Sequence, residues 1–529
     1  MTMRLFRELH TSDDDPVRRN DRDEPSPTKD EGDLFIHRPS PRKIRVLLDV
    51  ENLPDDKTVP TQLFEALLRS ERVFQLEVDV STIGSTDGHA TTRAGSLSIR
   101  DSTVDAGSFS YPGPQYTWSI GDENPHADGS TTLSSYGFAN PHRQIREAAN
   151  TYRYLKRQER SDYRLKDVVK LAILAEVARS SGFDLIVSEA PATACRLLPV
   201  HGRALVVSRR EAVSILAHYL RRQHRFLVDP RCNAIYSRHV FYERAVNTIV
   251  PALRNWTACV NAASGGPHST LALKVYAGYQ SSVRRLARAL ETRDDLIASL
   301  GSYPTEPVQE DCVDDLDHLL LLLCGGTDAL ARALHLALGL KPRESRNAKL
   351  HADWFNHQIV ERYQGISVES APLEELAHLH KSLKVVFALR NSIHNLRITP
   401  APIASAFFST FGGNDTTLAV HISPDIAETV EKIGSDIAEE WGFVSMPIVG
   451  TYVDLWSIVE KSVNTVLRFL NTLSGIVLRN PLDDACGALL SGTMPFQDIP
   501  ESLPWAGYDD HLPLLVGIPK ASTLTCAHR

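Results

Sequence analysis

Apolar and polar positions alternate in blocks along this chain, and the blocks differ in kind. Residues 44–50 (IRVLLDV) form a short apolar run with β-branched members, bounded by Pro41 and Pro54, which predicts a buried strand. A helical pattern follows over 61–70 (TQLFEALLRS), then an alternating segment over 73–81 (VFQLEVDVS). Helical periodicity returns from Pro141 and runs to Gly182, a residue suited to end a helix. Two further strands of the buried type are predicted over 183–188 (FDLIVS) and 203–208 (RALVVS). The second leads into a helix on which Ala212, Ile215, Leu216, Tyr219 and Leu220 form one face. Strand and helix alternating in this way predict an α/β domain over 43–230, built on a parallel sheet covered by helices.

Beyond Arg231 the pattern lengthens into amphipathic segments such as TLALKVYAGYQSSVRRLARALETRDDLIASL and TYVDLWSIVEKSVNTVLRFLNTLSGIVL, which predict an all-α domain over 231–478. Within it, Gly325-Gly326 after LLLLLC reads as a helix stop. Over 404–422, AFFSTF and TTLAVHI flanking GGND give a hairpin signal. Three stretches lack periodicity. Residues 1–42 mix Asp, Arg, Pro and Ser as a disordered tail does, 82–140 are rich in Ser, Thr, Gly and Asp and read as a disordered insertion, and 479–529 read as an irregular arm.

Composition narrows the picture in three ways. The chain has 529 residues, 42% hydrophobic and 23% charged, enough for two or three domains with sizeable cores. No continuous apolar run approaches the roughly 20 residues that cross a bilayer, and the first residues lack the apolar segment of a signal peptide, so a cytoplasmic protein without membrane association is expected. Seven cysteines without C-x-x-C spacing argue against a disulfide framework or a cysteine-rich zinc site. A net charge of -8 gives no global attraction for nucleic acid, so any such binding must rest on a local patch.

The acidic residues of the first domain collect near predicted strand ends. Asp49 and Glu51 close the first strand, where open parallel sheets bind ligands. Asp167 opens a helix (KDVVKLAILAEVA), and Asp184 and Glu189 flank the 183–188 strand. Hydrolysis of a phosphodiester by Mg2+ or Mn2+ needs several carboxylates to hold the metal that activates water. Asp49, Glu51, Asp167, Asp184 and Glu189 are the candidate ligands, and Asn52 the candidate to orient them. Each also has a structural reading: an Asp in the first turn of a helix is favoured by the dipole alone. A basic stretch with interleaved tyrosines (Tyr152, Tyr154, Tyr163) supplies candidate RNA contacts at Arg153, Lys156, Arg157 and Arg160; cations on phosphates and aromatics on bases are what single-strand binding uses.

These motifs carry a resemblance. LLDVENL, FDLIVSEAP and VVSRREAVSILAHYLR are similar to the opening strand, the late acidic strand and the closing strand and helix of PIN and NYN nuclease domains. SEAPATA departs from the fuller acidic pattern of that family. HKSLKVVFALRNSIHNLRI resembles the R-N-x-x-H signature of HEPN domains, with three residues rather than four to six between Arg390 and His394. The resemblance implies a PIN-like, Rossmann-like domain joined to a HEPN-like helical one. It further implies a metal-dependent endoribonuclease of prokaryotic type acting on single-stranded RNA, in defence or stress response, with Asp49, Asp167 and Glu189 as its catalytic acids. In the helical domain it implies Arg390 on phosphate, His394 as general acid or base, and a homodimer through the helical faces. The alternative expectation is a scaffold for RNA or protein in which both sites have decayed.

Overall fold

The computed structural model describes residues 43–54, 56, 58–78, 96–101, 116–121, 133–139, 141–157, 164–190, 205–229, 234–235, 237–254, 256, 269–301, 306–364, 370–394, 397–401, 418–446, 450–479 and 512–518. The predicted tail lies outside them. The chain forms two compact units that divide between Ala234 and Ile235.

The first unit is a seven-stranded sheet with helices. Its strands are β1 (Ile44–Asp49), β2 (Val73–Val78), β3 (Ser96–Asp101), β4 (Tyr116–Gly121), β5 (Leu133–Ala139), β6 (Leu185–Val187) and β7 (Leu205–Val207), in the spatial order β5-β4-β3-β2-β1-β6-β7. β3, β2, β1, β6 and β7 run parallel, and β4 is antiparallel to both its neighbours. The α/β reading therefore stands. The insertion reading does not: β3, β4 and β5 lie inside 82–140. Alternation there outweighs the Ser, Thr and Gly content, because Leu97, Ile99, Tyr116, Trp118 and Ile120 fall at every second position and are all buried. The residues linking these strands lie outside the described set.

Leu47, Leu76, Val78, Ile186 and the buried residues of β3 and β4 form one face of the sheet, covered by α2 (His142–Arg157) and α3 (Leu165–Ser180) through Ala148, Val168, Leu171, Ala172 and Val177. Two further helices, α1 (Val59–Leu68) and α4 (Arg209–Arg222), pack on each other. The α4 start is fixed by a capping box: Ser208 Oγ accepts from the Glu211 backbone N–H, and Glu211 Oε2 accepts from the Ser208 N–H at 2.9 Å.

The second unit is largely helical. It contains α5 (Arg238–Ile249), the long pair α6 (Ser269–Gly301) and α7 (Glu306–Ala337), α8 (Ser370–Ser392), α9 (Pro424–Ile433), α10 (Leu455–Arg479) and α11 (Leu512–Val516). Two features differ from the all-α expectation. A four-stranded antiparallel sheet is present, with β8 (Thr399–Pro400), β9 (Ala419–Ile422), β11 (Gly450–Asp454) and β10 (Val444–Met446) in that spatial order. The hairpin signal thus located one true strand, β9, while 402–417 lie outside the described residues.

The second difference is that α7 passes straight through Gly325-Gly326. The glycines serve a close helix–helix approach rather than a stop: a Cβ on Gly326 would stand 3.2 Å from Leu286 Cδ2, and one on Gly278 would stand 2.9 Å from Ala333 Cβ. α7 is also long and apolar enough to cross a membrane, which the search for unbroken apolar runs passed over. However, 67% of its most apolar window is buried within the fold, as in a core helix. In the predicted irregular arm, α11 docks by Leu515 and Val516, and the Val516 carbonyl accepts from Arg293 Nη1 at 3.1 Å.

Candidate functional site

β1 pairs in parallel with β2 on one side and β6 on the other, so the strand order reverses at β1. The crevice beyond the carboxyl ends of such strands is where open α/β sheets bind ligands. Leu48 pairs with Val187, so the next residues of the two strands, Asp49 and Ser188, emerge side by side. Both are fully buried, at 0% exposure. Asp49 Oδ2 accepts from Ser188 Oγ at 2.6 Å and from Asn52 Nδ2 at 2.9 Å, the Asn52 side chain reaching back from the turn that follows β1. Ser188 Oγ in turn accepts from the Ala190 N–H at 3.1 Å. Asp49 Oδ1 is buried and has no hydrogen-bond partner among the described residues. A buried carboxylate oxygen left unpaired is costly unless something approaches it.

The other predicted acids are placed differently. Glu189 stays at this rim, its N–H donating to the Asn52 carbonyl at 3.3 Å, but its carboxylate turns to the next helix: Oε1 accepts from the Arg209 N–H at 2.8 Å. That oxygen satisfies one of the orphan donors at the start of α4 and meets the positive end of its dipole. Asp184 sits at the opposite edge. It precedes β6, its N–H donates to the Arg45 carbonyl at 2.9 Å, and its Oδ2 accepts from the Arg45 N–H at 2.9 Å. Four residues of β1 separate Arg45 from Asp49, on the order of 13 Å at about 3.3 Å per residue. Asp184 therefore belongs to the structural start of its strand and is withdrawn from the metal set.

Glu51 is exposed in the turn. Asp167 lies half-buried in the first turn of α3, the helix covering the sheet face on which Leu47 and Asp49 alternate. No hydrogen bond or ion pair joins it to Asp49 among the described residues. Nor do any three His, Cys, Asp or Glu side chains among those residues come together as a metal-ligating group. The acids joined here fit one carboxylate contact, at Asp49, and not the several-carboxylate cradle that metal-assisted hydrolysis uses.

A second network, which no sequence motif announced, braces the loop after β1. Arg209, buried to 7%, sends Nη2 to the Pro54 carbonyl at 2.6 Å and Nη1 to Asp56 Oδ1 at 3.0 Å and to Thr61 Oγ1. Thr61 Oγ1 also donates to Asp56, as does Thr58 Oγ1 at 2.8 Å. The Thr61 and Thr58 hydroxyls, with the nearby Arg209 guanidinium, hold the Asp56 carboxyl below the usual carboxylate range. Ser188 and Arg209 became visible only through strand register and the folded loop.

Comparison with family models, with curated proteins and with solved structures gives no match. The site therefore has to be judged on its own residues.

On α2, Arg146, Arg153, Lys156 and Arg157 are exposed, and Arg160 lies outside the described residues. Tyr152 packs against the sheet core and so is not a base-stacking platform. In the second unit, α8 ends at Ser392, two residues short of His394, so the expected shared helix face for Arg390 and His394 does not form as a regular helix. The turn is closed by the Ile393 N–H to Arg390 and the His394 N–H to Asn391, and His394 is exposed. Arg390 is half-buried, with Nη1 donating to Asn391 Oδ1 at 3.1 Å.

Proposed function

We propose that the α/β unit is a PIN/NYN-like domain that binds single-stranded RNA, and that its acidic rim lacks the partners needed to cut it. The observation that carries this reading is the use made of the companion acids: Glu189 caps α4 and Asp184 braces the far edge, leaving Asp49 held by a hydroxyl and an amide. Asp49 with Ser188 and Asn52 serves as a polar anchor at the strand ends. The exposed guanidiniums of Arg146, Arg153 and Arg157, spaced i, i+7 and i+11 on α2, supply a cationic face for phosphates. One observation favours catalysis instead: Asp49 Oδ1 is unpaired, and a metal ion would pair it.

The RNA-binding part is tested with a fluorescently labelled single-stranded RNA and the full chain. Reversing two cations, Arg153→Glu with Arg157→Glu, is expected to weaken binding about tenfold or more and to flatten the dependence of affinity on salt. Affinity and salt slope unchanged by the double reversal, or an absence of binding by the unaltered chain, would count against the reading.

A further inference from the structure

In the helical unit, five cations from four segments gather around one carboxylate. Arg285 comes from α6, Arg332 from α7, Lys349 from the segment after α7, and Lys384 and Arg390 from α8; the carboxylate is Asp328 on α7. Arg285 lies across α7 at Gly325, donating from Nη1 to the Gly325 carbonyl at 2.8 Å, and its Cδ would be 3.3 Å from a Cβ at that glycine. Asp328 stands in the field of Arg390, Arg332, Lys349 and Arg285, and its Oδ1 is buried without a hydrogen-bond partner among the described residues. His351 stands in the field of Lys349, Arg390 and Lys384, stacked on Phe387 with ring centroids 3.6 Å apart and planes 18° from parallel. Lys349 and Arg390 act on both groups, so these are two walls of one basin.

Among the described residues, none of the five cations has a carboxylate within ion-pair distance, whereas Arg288 on the same helix does: its Nη1 lies 2.5 Å from Glu291 Oε2. Uncompensated like charge is unfavourable, and an anion relieves it. A single phosphate brings a charge of about -1.5 to -2, which five cations and one carboxylate exceed, so two or three phosphates match the basin better than one. The cations converge from four segments on one focus instead of tracking along a surface, which suits a compact ligand over a nucleic-acid strand.

We propose that this basin binds a polyphosphate chain, either that of a nucleoside triphosphate or inorganic tripolyphosphate, with Arg285, Arg332, Lys349, Lys384 and Arg390 on the phosphates. Asp328 accepts from a hydroxyl or amine of the ligand, and the flat His351–Phe387 pair offers a surface for a nucleobase. The site is independent of RNA binding by the other unit.

Calorimetric titration of the full chain in EDTA, with ATP and with tripolyphosphate, tests it. Saturable binding at one site per chain is expected, weakened at least tenfold by Arg332→Glu and by Lys349→Glu. Both residues are exposed, and circular dichroism checks that the variants remain folded. Lys432→Glu, at a position ion-paired with Glu428 on α9, is the control and leaves binding unchanged. Equal affinity for the two ligands assigns the site to the phosphate chain alone, and tighter binding of ATP adds the nucleoside surface; either supports the proposal. Absence of binding, insensitivity to both reversals, or displacement of tripolyphosphate by single-stranded RNA would overturn it.

Discussion

Asp49 and Ser188 owe their contact to register: two parallel strands end side by side, and the pleat turns both side chains to one face. Asp49 could be read in advance because an acid after an apolar run is conspicuous. Ser188 could not, since its partner is 139 positions away along the chain. Glu189 shows the limit of reading acids by type, for a carboxylate beside a strand end can serve a metal or a helix N-terminus, and here the Arg209 N–H decides. The histidines of the helical unit supply a prediction at this scale. His380 lies against Phe355, with ring centroids 4.3 Å apart, and His351 against Phe387; burial, the larger cause, together with nearby lysines holds each at a pKa of about 4, below the usual 6.5. Folded-state values below the unfolded one mean that the unfolded chain takes up protons first as pH falls. Stability should thus be steady above about pH 6.5 and decline between 6.5 and 4. His380→Phe should shrink that decline in chemical denaturation midpoints; an unchanged pH dependence would show that His380 does not contribute.

Among the elements, those with strong periodicity were readable and those with ambiguous punctuation were not. β1, β6, β7 and α4 follow from short apolar runs and one amphipathic face. β3 to β5 were hidden because their alternating apolar residues are embedded in Ser, Thr and Gly, which by composition signal a loop. Burial of Trp118 and its neighbours decides otherwise. Glycine misled in a second way. Gly326 and Gly278 sit where α6 and α7 approach closely, so a residue read as a breaker is a packing residue. Gly278→Val should force the two helices apart and lower stability by about 1–3 kcal/mol, the usual range for overpacking. Urea denaturation with a midpoint equal to that of the unaltered chain would contradict this placement.

Taken as a molecule, the chain joins an α/β unit and a largely helical unit, each with its own core. Each unit also offers a different charged feature: a buried acid at the strand ends of the first, a basin of unpaired cations in the second. The central claim concerns the first, that Asp49 anchors a binding surface and does not cleave. The most direct measurement is cleavage of a labelled single-stranded RNA by the full chain in Mn2+ and in EDTA, with Asp49→Asn and His394→Ala alongside. The account predicts no cleavage above the protein-free control in any arm. Mn2+-dependent cleavage that EDTA abolishes and Asp49→Asn lowers by about 100-fold or more, a loss typical of removing a group from a catalytic centre, would contradict it; so would metal-independent cleavage lost in His394→Ala.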